Sequence, residues 1–224
     1  MNVRSVNFDP LARWYRALEF LAFGRDLERA RFCLLDRLAD CEEILVLGEG
    51  DGRCLARLVQ AAPRARVRCL DGSAAMLARA AARLAEQPAR SRVSFEQADI
   101  LAATFPAASY DAVVTCFFLD CFTAAEVEGI VARVAASLRP GARWLFADFA
   151  IPPRGFARMR AQIWLGSLYA FFGWRTGLAT RRLPPSETIL RAAGFVSEAA
   201  REFQGGLIRG ELFRHRLAPV VTAT

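Results

Sequence analysis

Apolar residues along the chain fall into two rhythms that take turns. Ile44 to Leu47 is an unbroken apolar run with β-branched members, the pattern of a parallel strand buried on both faces. Gly48, Gly50 and Gly52 follow at every second position, and Arg53 to Ala61 returns to helical spacing. Further strands are predicted at Arg66 to Leu70, within Arg92 to Ile100, at Tyr110 to Phe118 and at Trp144 to Ile151. Between them lie a helix containing Met76 and Leu77 and another from Ala124 to Leu138, capped by Thr123. Upstream, Asp9 as N-cap and Pro10 at the first helical position open a helix through Leu11, Trp14, Tyr15, Leu18, Leu21 and Ala22, and a second helix is expected from Asp26 to Ala39. Downstream, Pro184-Pro185-Ser186-Glu187 opens a short helix that ends at Gly194-Phe195. Val196 to Gln204 and Leu207 to Leu217 then read as a hairpin around Gly205-Gly206. Strands alternating with helices predict an α/β domain with a mainly parallel sheet.

The glycine loop after the first strand restricts the ligand. A dinucleotide fingerprint needs a third glycine three positions after the second, and Gly50-Asp51-Gly52 is followed instead by Arg53, Cys54 and Leu55. The Lys-Ser/Thr ending of a P-loop is missing, and the chain contains no lysine at all, which excludes triphosphate binding through this loop. Glu49 and Asp51 suit a cationic ligand and would repel pyrophosphate. The loop resembles motif I of the class I S-adenosylmethionine-dependent methyltransferases, in which alternating glycines pass under the amino-acid end of the cofactor. The family usually carries an acidic residue two positions before the first glycine. Val46 stands there in this chain, so the resemblance leaves Glu49 or Asp51 to meet the cofactor's ammonium.

Later segments extend the resemblance. Asp71, about 20 residues beyond the glycine loop at the end of the second strand, is placed to accept hydrogen bonds from ribose hydroxyls. Asp71-Gly72-Ser73-Ala74-Ala75-Met76-Leu77 is similar to the family's second motif, with Met76 against adenine. Asp99 and the following amide of Ile100 fall where the third motif meets the adenine edge. Tyr110-Asp111 matches the aromatic-Asp opening of the family's fourth strand, which ends facing the methyl group and brings in Thr115. Leu119-Asp120-Cys121-Phe122 lies where many small-molecule members carry histidines, and makes Asp120 the first candidate for a general base, with Tyr15 second. No Asn/Asp-Pro-Pro-aromatic motif of DNA and RNA amino-methyltransferases is present. Leu138-Arg139-Pro140-Gly141-Ala142 and Leu190-Arg191-Ala192-Ala193-Gly194-Phe195 are also family-like.

The resemblance implies a three-layer Rossmann-like sandwich with a mainly parallel seven-stranded sheet, an antiparallel last strand and an N-terminal helical cap. It implies one domain over 1–224, divided into a cap at 1–42, a cofactor-binding core at 43–151, and a substrate-cap insertion with the terminal hairpin at 152–224. S-adenosyl-L-methionine would be the cofactor and S-adenosyl-L-homocysteine the product.

Composition narrows the partners. The 224 residues carry a formal charge of +7, and all 30 basic side chains are arginines dispersed among helices, with no clustered basic stripe for nucleic acid. Six scattered cysteines lack metal-ligand spacing and read as reduced core thiols of a cytoplasmic protein, and no metal is expected. Met1 to Asp9 has no apolar signal-peptide core. The aromatic stretch from Phe156 to Leu178 is too short in its uninterrupted part to span a bilayer, and is expected to cap the substrate pocket, with peripheral membrane contact as the alternative. That stretch suggests an apolar or planar acceptor such as a quinone-like, phenolic or isoprenoid compound. Two other functions compete: a catalytically inactive cofactor-binding module that regulates a protein partner, and a hydride-transfer enzyme, which the glycine spacing disfavours.

Overall fold

In the computed structural model, the described residues are 24–152, 154–155, 158–163 and 182–216. The expected first helix with Trp14 and Tyr15, and most of the aromatic insertion, lie outside them. Helix α1 covers Asp26–Phe32, followed by a 3-10 turn at Leu35–Leu38. Then come β1 (Glu43–Leu47), α2 (Arg53–Ala61), β2 (Arg66–Asp71), α3 (Ala74–Leu84), β3 (Val93–Gln97), β4 (Tyr110–Cys116), α4 (Ala124–Ser137), β5 (Leu138–Phe149), α5 (Ser186–Ala192), β6 (Phe195–Phe203) and β7 (Ile208–His215).

The seven strands form one sheet in the order β3-β2-β1-β4-β5-β7-β6. Every pairing from β3 to β5 is parallel, and β7 runs antiparallel to both neighbours. Strand alternation explains the layers. In β1, Ile44 and Val46 join a core with Leu55, Leu58, Leu77 and Leu84 of α2 and α3, while Leu45 and Leu47 join another with Val127, Ile130, Val131 and Val134 of α4. The three-layer α/β sandwich with a reversed last strand is therefore present.

Three local details differ from sequence expectation. The helix begun at Asp26 stops at Phe32, because Leu34 takes φ −136° and turns Leu35 and Leu38 onto the core as a separate 3-10 turn. Strand β5 begins at Leu138, six residues before the expected start. The turn expected over Arg139-Pro140-Gly141-Ala142-Arg143 is absorbed into it as an irregular entry, since Leu138 already pairs with Tyr110 before the register shifts at Ala112. Strand β4 ends at Cys116, two residues early.

Several polar residues tie these elements together. Thr123 and Glu126 form a capping box at the start of α4. The Asp111 carboxylate accepts the Glu42 and Glu43 amides at 3.0 and 2.9 Å and an Arg139 guanidinium N–H at 2.8 Å, joining the starts of β1, β4 and β5. Burial alone would raise its pKa, but Arg139 and the two amides outweigh burial and hold it below 3.8.

Replacing Asp111 with Ala leaves those donors without their partner and is expected to cost about 1–3 kcal/mol in urea unfolding at neutral pH. With a lowered folded-state pKa, this stabilisation is present above pH 3.8 and disappears as pH falls through the folded value, so parent and variant should converge in acid. Equal unfolding midpoints at pH 7 would contradict this role.

Candidate active site

All five parallel strands from β1 to β5 end on the same rim of the sheet. The chain leaves β1 outward to β2 and β3, then returns to β4 on the opposite side, so a crevice opens between the ends of β1 and β4. The glycine loop fills the β1 side. Gly48, Gly50 and Gly52 have φ of 66°, 71° and 84°, all left-handed. A Cβ at Gly48 would lie 2.0 Å from the Phe118 ring, and one at Gly52 would lie 2.6 Å from Ala80 Cα in α3. At Gly50 a Cβ would meet nothing within 4 Å, and the same holds for Gly72 after β2. The outer glycines thus serve packing, whereas Gly50 and Gly72 expose main chain that a ligand can approach.

The Asp71 carboxylate accepts the Gly50 amide at 3.3 Å and the Ser73 amide at 2.9 Å, so it bridges the two open turns. Ser73, not Asp71, is the N-cap of α3: its hydroxyl accepts the Met76 amide at 3.2 Å. Met76 lies beneath this rim and is 9% exposed. Asp99 follows β3 on the same rim, exposed, with its carboxylate on the Leu101 amide, and the Ala98 amide reaches back to the Asp71 carbonyl. Ile100 is buried, and its carbonyl accepts from Arg133.

The two loop acids part company. The Glu49 carboxylate accepts the Leu55 amide at 2.9 Å in the first turn of α2, and burial raises its pKa to about 7 against that bond and the nearby Arg31. Asp51 turns outward into ion pairs with Arg53 at 2.9 Å and Arg83 at 3.3 Å. Thr115, expected at the ligand, is 1% exposed, and its hydroxyl accepts the Trp144 indole N–H at 2.8 Å inside the core. Tyr15 lies outside the described residues.

Across the crevice, Asp120 is buried at 8% exposure, two residues beyond the Phe118 that packs on Gly48. Burial raises its pKa to about 6, opposed by Cys121, its own amide and Arg31. Four residues on this side were not singled out by the sequence. Asp148 at the end of β5 is 1% exposed and accepts the Asp120 amide at 3.2 Å. Phe117 adopts φ 53°, an outlier for a bulky residue, with Phe149 edge-on at 5.2 Å and the Arg31 guanidinium 4.9 Å from its ring centre. Asp148 carried a signal, an acid at a parallel strand end; Arg31, one arginine among 30, carried none.

Comparison with known proteins identifies the family. A family model described as a methyltransferase domain matches residues 44–141. Over 171 residues the chain is 32% identical to the demethylmenaquinone methyltransferase of Thermus thermophilus, covering 74% of each protein. The chain belongs to the class I S-adenosylmethionine-dependent methyltransferases. Solved structures share the fold. The mitomycin 7-O-methyltransferase MmcR superposes with a TM-score of 0.66 at 20% identity, covering 92% of this chain, which spans 58% of that protein's length. The N-methyltransferase NodS of Bradyrhizobium japonicum gives 0.60 at 19% identity, covering 86% of this chain and 98% of NodS.

Gly50→Ala and Gly52→Ala both incur left-handed strain of about 1–2 kcal/mol, but only Gly52→Ala also drives a methyl group into α3. The melting midpoint should therefore fall further for Gly52→Ala, while Gly50→Ala should lose more affinity for S-adenosylhomocysteine in calorimetry. Equal losses on both measures would remove the distinction between packing and ligand-facing glycines.

Proposed function

We propose that this methyltransferase acts on a hydroxylated aromatic ring of the quinol or phenol type. The observation that carries this reading is Asp120, a buried carboxylate in the 3-10 turn Leu119–Cys121 that follows β4, with Phe117, Phe118 and Phe122 close to it in the chain and the last two rings edge-on to each other. An aromatic wall suits a planar acceptor, and an acid with its pKa near neutrality suits removal of a hydroxyl proton. The Thermus thermophilus relative is named for a demethylated quinone, which supports the same class.

The residues present fit the cofactor: open main chain at Gly50 and Gly72, with a carboxylate between them, forms a cradle that added Cβ atoms would narrow. When bound, S-adenosylmethionine supplies an electrophilic methyl group on a sulfonium. In this reading Asp71 holds the ribose hydroxyls, Met76 supports the adenine from below, and Asp99 with the Ile100 amide meets the adenine edge. Glu49 replaces the acid missing at Val46 and faces the ligand's ammonium. Asp120 takes the acceptor's hydroxyl proton, and the surrounding phenylalanines exclude water.

Incubation with methyl-labelled cofactor and a reduced, prenylated 1,4-naphthoquinone should move label into the organic phase. Transfer to soluble phenols alone would instead assign the acceptor to that group, and transfer to amines alone would refute the reading. Because burial raises Glu49 to about 7, a cationic group beside it must expel its proton, so affinity for S-adenosylhomocysteine should rise as pH climbs through 7. Glu49→Gln should flatten that dependence; an unchanged slope would place the ammonium elsewhere.

A further inference from the structure

Arginines are spread along the whole chain, but the acids are not. Between Asp148 and Glu187 the sequence holds six arginines and no aspartate or glutamate, while the other 24 arginines face 23 acids. This one stretch therefore supplies six of the seven net positive charges, with no acid of its own to pair them.

Exposed apolar side chains gather in the same stretch. Four large hydrophobic residues are exposed among the described residues, and Ile151, Met159 and Ile163 are three of them. Residues 158–163 are helical, and Ala161 is buried in a cluster with Leu27 and Ala30 of α1, Ala147 of β5, and Leu207 and Ile208. Helical spacing puts Met159 and Ile163, four positions apart, on one face and Ala161 on the other. The two apolar side chains accordingly stand outward, at 52% and 63% exposure. Arg158 and Arg160 are exposed to either side of Met159, and Arg154 is exposed upstream. Arg160 donates to the Gln204 carbonyl at 2.8 Å, which ties the helix to the β6–β7 hairpin and leaves the guanidinium charge uncancelled.

An outward apolar edge flanked by cations complements a partner that has apolar depth beneath a negative surface. Nucleic acid offers the charge without the depth, and Met159 and Ile163 have no rings to stack on bases. A second copy of the chain would bring the same positive charge to the contact. We propose that the helical face carrying Met159 and Ile163, with Arg154, Arg158 and Arg160 beside it, docks on the surface of a lipid bilayer rich in anionic headgroups. The apolar pair enters the headgroup boundary and the arginines meet phosphates. No helix among the described residues is long and apolar enough to cross a membrane, so the contact is peripheral. The cluster that buries Ala161 also receives Phe117 and Phe149 from the crevice, which puts the docked face behind the wall of the active site. A prenylated acceptor dissolves in such a bilayer, a consequence that rests on the acceptor class proposed above.

The test mixes the full chain with sucrose-loaded vesicles, either pure phosphatidylcholine or phosphatidylcholine and phosphatidylglycerol in equal parts, and measures the protein that sediments with them. Partitioning should be about tenfold or more stronger on the anionic vesicles and should fall as salt rises. Arg154→Gln should weaken it about fivefold on the anionic vesicles. The double variant Met159→Ser, Ile163→Ser should weaken it about tenfold or more, with its melting midpoint and its affinity for S-adenosylhomocysteine preserved as proof of folding. Equal partitioning on both vesicle types, or a double variant that folds and still sediments like the parent, would overturn the proposal. So would binding to a single-stranded oligonucleotide with none to vesicles, or a dimer in light scattering that the double variant abolishes while vesicle binding persists. Sedimentation requires no methyl acceptor, so a naphthoquinol that receives no label would sink the acceptor assignment and leave the docking face standing.

Discussion

Helices packed on both faces of a parallel sheet leave one rim where the protein can collect polar groups, and the rest of the structure follows from that restriction. Leu45 and Leu47 point into one core and Ile44 and Val46 into the other, so neither face of β1 has room for a functional side chain. The rim is different. There β1 and β2 give way to turns with open main chain at Gly50 and Gly72, and α2, α3 and α4 begin with amides that still require acceptors. Glu49, Ser73 and Thr123 meet some of those amides. The same local rules that start the helices therefore gather acids and hydroxyls around the crevice between β1 and β4.

Residues whose roles depend on their own strand or turn were legible in the sequence. The apolar run at Ile44 to Leu47, the helix at Arg53 to Ala61 and the Thr123 cap appear where spacing placed them. So does the hairpin around Gly205-Gly206, whose two glycines and Gln204 all take positive φ. Direction was harder to read than position. Asp51 and Glu49 are one residue apart on either side of Gly50, yet Asp51 turns to Arg53 and Arg83 while Glu49 turns under α2. That choice depends on Arg83, 32 residues away on α3. Thr115 was legible as the end of β4 but not as the partner of Trp144, because which face of a doubly buried strand meets the ligand depends on the packing of the next strand. Arg31 was illegible for a similar reason: α1 comes close to β7 over Gly210, where a Cβ would meet Cys33 Sγ at 2.7 Å and the Ala30 carbonyl at 2.9 Å.

Counter-ions sort the carboxylates more sharply than position does. Asp40, Asp51, Asp111 and Glu211 each meet an arginine at 3.3 Å or less, and their charges are spent on holding elements together. Even Glu211, wholly buried on β7, has both Arg191 and Arg209 at 2.8 Å. Glu49, Asp120 and Asp148 are treated differently. Their hydrogen bonds come largely from main-chain amides or a thiol, and burial pushes all three upward in pKa. A chain with 30 arginines had ample means to neutralise these three. Among the described residues no close ion pair meets Glu49 or Asp148, and burying a carboxylate on main-chain donors alone costs stability. The same contrast accounts for Val46. An acid at that position would sit inside the first core among Leu55 and Leu58, whereas Glu49 reaches the crevice from the turn while its carboxylate remains tethered to α2.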